Sequence, residues 1–331
     1  MDNKGLHLLK GIVLLLMLNL FSGCRSNSVN SEATVQTSTA QPLKRGTAAP
    51  DKSNDEVLKA LLAETLDKFV QREYNDVETG KSMSYNLFIP ENYDQSKQYP
   101  LVLFIADAST VGKDTKVPLT QGYGGAIWAS AEDQTKHPCF ILVPQYTTRT
   151  VNDEFETSYE VEMTIRLLNN IVDQYNIDKK RLYTTGQSMG GMMSMYFNII
   201  YPELFAASVY VGCQWDTEKM GGFADDKFFY IVAAGDKKAP KGMAALKTVL
   251  ENKGAKISTG EWSAKLPDKE QENEVQKLLS KGNNINFVVF TLGSVQPENG
   301  RGNEHMNSFD YAYKLESVRD WLFKQTLKSS N

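Results

Sequence analysis

At 331 residues the chain is about twice the usual domain length, yet one enzyme domain built on a single sheet fills such a length. Its 36 Lys and Arg against 40 Asp and Glu leave a net charge of −4, which offers no basic surface to track a phosphate backbone and argues against nucleic acid as a partner. Hydrophobic residues at 41% and aromatic residues at 10% are enough for a sizeable core and exclude wholesale disorder, and no fixed-period repeat is evident.

The first segment reads as a targeting device. Lys4 and Lys10 stand against Asp2, and the apolar run Gly11 to Phe21 is 11 residues long. A helix needs ~20 residues to cross a hydrocarbon core of about 30 Å, so this run does not span a membrane. Phe21 also spoils the small-residue pattern of an ordinary cleaved signal. Phe21-Ser22-Gly23-Cys24 resembles the lipobox of bacterial lipoproteins, with Phe in place of the more frequent Leu. The resemblance implies a signal peptide over 1–23, lipidation of Cys24, export, and a place in the bacterial cell envelope with the lipid anchor as the sole membrane contact. Two or more acyl chains anchor stably where one is marginal. Residues 24–53 are rich in Ser, Thr, Ala and Gln and read as a flexible tether; the globular domain is expected over 54–331.

Leu58, Leu61, Leu62, Leu66 and Phe69 recur at helical spacing, which predicts an amphipathic helix over roughly Asp55 to Arg72. Strand character follows in Ser84 to Ile89, Leu101 to Ala106, Cys139 to Val143, Leu182 to Thr185, Ala207 to Val211, Phe228 to Ala234 and Ile285 to Leu292. Most of these runs are continuously apolar, the pattern of strands buried on both faces. Thr157-Ser158-Tyr159-Glu160 reads as a capping box opening a helix, and further helices are predicted at Met189 to Ile200, Lys241 to Asn252, Lys269 to Ser280 and Phe309 to Lys324. Strands alternating with helices predict an α/β fold, a mostly parallel sheet covered on both faces, with ligands bound beyond the C-terminal strand ends.

Gly186-Gln187-Ser188-Met189-Gly190 sits where that geometry wants chemistry, directly after a strand and opening an apolar helix. It is the G-x-S-x-G nucleophile elbow in its strand-turn-helix context. The two glycines leave room where strand and helix pass closely, and Ser188 is lifted out as the candidate nucleophile. Past the leader, only His137 and His305 are available as a base. His137 precedes a strand, at the wrong end of the sheet, and reads as a surface residue. His305 lies in the polar stretch QPENGRGNEHMNS after the last strand and is assigned as general base. Asp236, at the tip of the strand FFYIVAA, is assigned to orient the imidazole, with Asp216 as a rival; Asp225, Asp226 and Asp310 read as solvated loop or helix-start charges. The order Ser188, Asp236, His305 is that of α/β-hydrolases.

The chain resembles an α/β-hydrolase of the polyhydroxybutyrate depolymerase, feruloyl esterase and predicted peptidase group over about Tyr74 to Gln325. The resemblance is carried by YNLFIPENYD, YPLVLFIADAS, IDKKRLYTTGQSMGGMMS, YPELFAASV and GNEHMNSFDYAY followed by VRDWLF. It implies hydrolysis of an ester or amide through an acyl-enzyme, with no metal and no organic cofactor. Members of the group it resembles usually have His-Gly where Ala106-Asp107 stands here. The oxyanion hole is then expected from the backbone N–H groups of Met189 and of Asp107 or Ala108, with the Asp107 carboxylate turned away to cap the loop.

Gln187 flanks the nucleophile and is expected to touch substrate, and Trp215, after the strand ending at Val211, either walls an acyl or aromatic pocket or packs. Gly122-Tyr123-Gly124-Gly125 follows no strand and lacks the Lys-Ser/Thr of a phosphate loop, so it reads as a bend beside the cleft, with Trp128 in the core. In the sheet order that the α/β-hydrolase resemblance implies, the strands of Cys139 and Cys213 are separated by two others, roughly 14 Å at 4.7–4.9 Å per step, too far for a disulfide, and both are expected as free buried thiols. The leading reading is a serine esterase acting on a small or polysaccharide-linked acyl ester, such as a feruloyl group. A serine peptidase of the same fold and a catalytically silent binding lipoprotein stay open as alternatives, because triad chemistry serves ester and peptide alike.

Overall fold

A computed structural model describes residues 50–297 and 303–328. The leader, Cys24 and most of the tether at 24–53 lie outside the described residues. The strands are β1 (Phe69–Asp76), β2 (Lys81–Phe88), β3 (Tyr99–Ile105), β4 (Phe140–Pro144), β5 (Ile177–Gln187), β6 (Ala207–Val211), β7 (Phe228–Ala233), β8 (Ile257–Trp262) and β9 (Ile285–Phe290). The helices are α1 (Glu56–Thr65), α2 (Val117–Thr120), α3 (Tyr123–Ala126), α4 (Ala131–Lys136), α5 (Tyr159–Gln174), α6 (Met189–Ile200), α7 (Ala239–Asn252), α8 (Asp268–Leu279), α9 (Glu304–Lys314) and α10 (Glu316–Phe323).

The strands form one sheet in the order β1-β2-β4-β3-β5-β6-β7-β9-β8. Only β2 runs against its neighbours; every pairing from β4 to β8 is parallel. This is the mostly parallel sheet that the alternation of elements predicts, and it is consistent with the α/β-hydrolase fold that the resemblance implies. Along β3, Leu101, Leu103 and Ile105 enter one apolar cluster while Val102, Phe104 and Ala106 enter the other. The period of two thus feeds both faces, and each face needs a cover. Val161, Met192 and Leu246 of α5, α6 and α7 cover the first; Leu58, Val275, Phe309 and Leu322 of α1, α8, α9 and α10 cover the second.

Four expectations change. The first helix ends at Thr65, and after a single 3-10 turn the chain becomes β1, hairpinned to β2 through Gly80 at φ 65°. Phe69 fits helical spacing and also begins an edge strand, and its burial against Phe88 in the sheet wins. β8 went unpredicted because Ile257-Ser258-Thr259-Gly260 lacks an apolar run; it is an edge strand paired to β9 alone. The predicted helix at 309–324 is two helices broken at Leu315, where Arg319 reaches back to donate to the Tyr313 carbonyl and forks onto Asp133. In α5 the cap is Ser158, accepting from the Glu160 N–H, while the Glu160 carboxylate turns to Thr147 and Thr148 instead of closing a capping box. Cys139 and Cys213 are buried free thiols, and β3 and β5 separate β4 from β6. Burial raises the pKa of both.

Candidate active site

Ser188 stands between the last residue of β5 and the first of α6, with φ 52° and ψ −116°. Positive φ in a non-glycine residue costs about 1–3 kcal/mol and persists only where the surroundings enforce it. Here the Ser188 N–H donates to the Val211 carbonyl at 2.9 Å, and its carbonyl accepts from Met192 at 2.9 Å. A side chain at 186 would run into the backbone of Gly190, and one at 190 into the carbonyl of Ile105. The turn is therefore sharp enough to present the Ser188 hydroxyl outward, as the motif demands.

The loop after β7 and the start of α9 bring partners to it. His305 Nε2 lies 2.8 Å from Ser188 Oγ, and His305 Nδ1 lies 2.5 Å from Asp236 Oδ2. The other Asp236 oxygen accepts from the Lys238 and Ala239 N–H groups at 2.9 and 3.3 Å, so the carboxylate is fixed independently of the histidine. Burial pushes the Asp236 pKa up, but the His305 hydrogen bond and charge and the two amides outweigh it and hold the group below its ordinary value. A paired, hydrogen-bonded carboxylate of this kind selects the histidine tautomer with hydrogen on Nδ1 and leaves Nε2 free to accept a proton from Ser188.

His305 is on the first turn of α9 rather than in a loop, its N–H bonded to the Asn303 cap at 3.0 Å. Beside it, Glu304 is 8% exposed and accepts from the Gly235 N–H at 2.9 Å and the Gly293 N–H at 3.0 Å. It ties the helix bearing His305 to the loop bearing Asp236. Sequence reasoning missed Glu304, because its partners are backbone groups that no motif marks.

On the other side of Ser188, Met189 opens α6, and the first amides of a helix have no acceptor within it. Asp107 and Ala108 follow β3, the neighbour of β5. The Asp107 carboxylate, 4% exposed, accepts from the Ser109 N–H at 2.7 Å and from the side-chain amides of Gln121 and Gln187. Gln187, expected to touch substrate, is 3% exposed, and Trp215, which the sequence left as pocket wall or packing residue, is 4% exposed. Gln187 is spent on Asp107 and Gln121, and Trp215 packs edge-on against Phe155 and Tyr196.

The remaining candidates fall elsewhere. His137 pairs with Asp320 at 2.8 Å and stacks on Phe323. Asp216 caps a 3-10 segment through the Glu218 N–H and pairs with Lys219. Asp310 is half-buried; it accepts from the Tyr123 N–H and pairs with Lys52. Asp226 is half-buried, and burial followed by the nearby Asp225 charge pushes its pKa up to about 7. Gly124 and Gly125 pack against Phe104 and Pro118, a crowded bend with Trp128 buried beside it. Among the described residues no group of three His, Cys, Asp or Glu side chains is placed to hold a metal.

Residues 77–293 match the family described as "Putative esterase". No curated protein matches the chain. Among solved structures, a thermostable esterase is 26% identical at a TM-score of 0.63, over 79% of this chain and 64% of its own. A feruloyl esterase module from Clostridium thermocellum, an S954A mutant complexed with sinapinate, is 10% identical at a TM-score of 0.53, over 80% of this chain and 90% of its own. A ferulic acid esterase is 13% identical at 0.51, over 76% and 98%. The chain thus spans about 64% of the length of the thermostable esterase it matches, and the lower identities carry the fold alone.

Proposed function

The chain belongs to the Esterase family, and from that premise we propose that it is a serine esterase cleaving carboxylic esters through an acyl-enzyme. The observation that carries the reading is the unbroken hydrogen-bond chain from Ser188 Oγ through His305 to Asp236. Ser188 Oγ attacks the ester carbonyl as its proton passes to His305 Nε2. Asp236 holds the ring by Nδ1–H and offsets the positive charge that the ring acquires. The oxyanion forms against the N–H of Met189 and those of the Asp107–Ala108 segment, preset dipoles that need no reorganisation as charge develops. Collapse expels the alcohol, which leaves with the proton returned from Nε2. A water then repeats the sequence on the acyl-serine and restores the free hydroxyl.

For substrate we propose small acyl esters, including aromatic acyl groups on polysaccharide; the sinapinate-bound feruloyl esterase module is the chemical precedent. We further propose that export and lipidation at Cys24 hold the enzyme at the cell envelope, supported by Phe21-Ser22-Gly23-Cys24 after the apolar run. A panel of p-nitrophenyl esters, methyl ferulate and peptide amides, run on wild type and Ser188→Ala, tests the chemistry. Ester turnover in the wild type, reduced at least about 10³-fold in Ser188→Ala, is expected, with fluorophosphonate labelling only the wild type. Equal turnover by the two proteins overturns the assignment; cleavage confined to the peptides moves it to a peptidase.

A further inference from the structure

This chain puts a carboxylate, Asp107, at the mouth of the proposed oxyanion site, and the structure surrounds that carboxylate with amides. Gln121 Nε2 donates to Asp107 Oδ2 and, at 2.7 Å, to Ser109 Oγ. Gln187 Nε2 donates to the same Asp107 oxygen at 3.2 Å and to Gln121 Oε1 at 2.8 Å. The Ser109 N–H occupies the other oxygen at 2.7 Å. Asp107, Gln121 and Gln187 therefore close a ring of hydrogen bonds, with Asp107 and Gln187 nearly inaccessible to water.

This ring joins three separate pieces of chain. Asp107 leads the segment after β3, Gln187 is bonded covalently to Ser188, and Gln121 comes from the bend between α2 and α3. The two backbone segments that would supply the oxyanion N–H groups are thus tied to each other through side chains. A negative charge beside a developing oxyanion raises the barrier in a low-dielectric site, and a carboxylate held by three fixed amide donors is turned aside and its charge stabilised where it lies.

We propose that Gln121 and Gln187 are positioning residues: they hold the Asp107 carboxylate away from the oxyanion and set the spacing of the segments at 107–108 and 188–189. The inference rests on the serine-esterase reading above and adds to it the device that lets the hole work with aspartate at 107. It makes Gln187 a supporting residue beneath the nucleophile and not a substrate contact.

Gln121→Leu and Gln187→Leu are each measured on p-nitrophenyl acetate beside wild type and Ser188→Ala, with thermal melting to establish that each variant folds. The expected result is a kcat about 10–100-fold lower in each leucine variant with KM within about 3-fold, somewhat less than the 10²–10³ lost with a whole oxyanion donor. Adding Asp107→Asn to either variant removes the freed charge and is expected to recover kcat at least about 5-fold, a rescue that simple loss of packing does not produce. Wild-type kcat in both leucine variants, or a loss that Asp107→Asn leaves unchanged, overturns the proposal. Loss of turnover in Ser188→Ala in the same experiment keeps that failure separate from failure of the serine-esterase reading.

Discussion

Asp226 and Asp236 flank the two ends of β7 with opposite electrostatics. Asp236 has donors on both oxygens and is held below its ordinary value, so it contributes stability that is present above the ordinary carboxylate pKa of about 3.9 and lost as pH falls through its folded value. Asp226 is pushed up to about 7, so its folded form holds the proton more tightly and stability declines as pH rises from about 4 to about 7. Asp226→Asn should accordingly melt like wild type near pH 4 and above it at pH 8; parallel melting curves across that range refute the assignment. Glu304 gives a second test. Removing its carboxylate strands two backbone N–H groups and loosens the turn that bears His305. Glu304→Ala is expected to lower kcat on esters about 10–100-fold with little change in KM, and Glu304→Gln, which keeps an acceptor, to fall less. Equal kcat values for the three proteins would show that the α9 start holds itself. That Ser188, His305 and Asp236 come together was legible because motif, scarcity and strand-end position mark them. Glu304 and Gln121 were not, since what they bind is decided by segments far away in the chain.

Among the elements, the elbow between β5 and α6 carries the tightest steric constraint. A methyl group at 190 meets the Ile105 carbonyl, a backbone group that has no freedom to withdraw from the sheet. Gly190→Ala is expected to destabilise the fold by at least about 1–3 kcal/mol and to abolish ester turnover even in the fraction that folds, because it levers α6 and Ser188 off β3. An unchanged melting temperature with full activity would contradict that crowding. The central strands and the helices between them were readable because burial on both faces leaves continuous apolar runs. The edge strands β1 and β8 were not, since one or both faces meet water and their composition drifts toward that of helix or loop. The break at Leu315 escaped for a related reason: the apolar periodicity runs on through it, and the Asp133–Arg319 contact that bends the chain spans distant segments.

For the whole molecule, the sheet order does the assembling. β5, β6 and β7 lie side by side with β9 next, so the loops carrying Ser188 and Asp236 and the helix start carrying His305 open at one end of the sheet. The proposed anchor adds a prediction at this scale: full-length protein expressed in a bacterial host should sediment with membranes after a high-salt wash, and Cys24→Ser should release it. A Cys24→Ser protein that stays with the membrane removes the lipid anchor from the account. The sequence by itself determined the α/β alternation, the doubly buried central strands, the elbow around Ser188 and the order of its partners, because burial periodicity and the steric demands of a tight turn are local properties written in consecutive residues. Only the tertiary structure decided that His305 begins a helix, that Glu304 secures it, that Gln187 faces inward to Asp107 and Gln121, and that Asp226 is half-buried. Those outcomes depend on hydrogen-bond donors and low-dielectric surroundings supplied by other strands, which exist only once the sheet has closed.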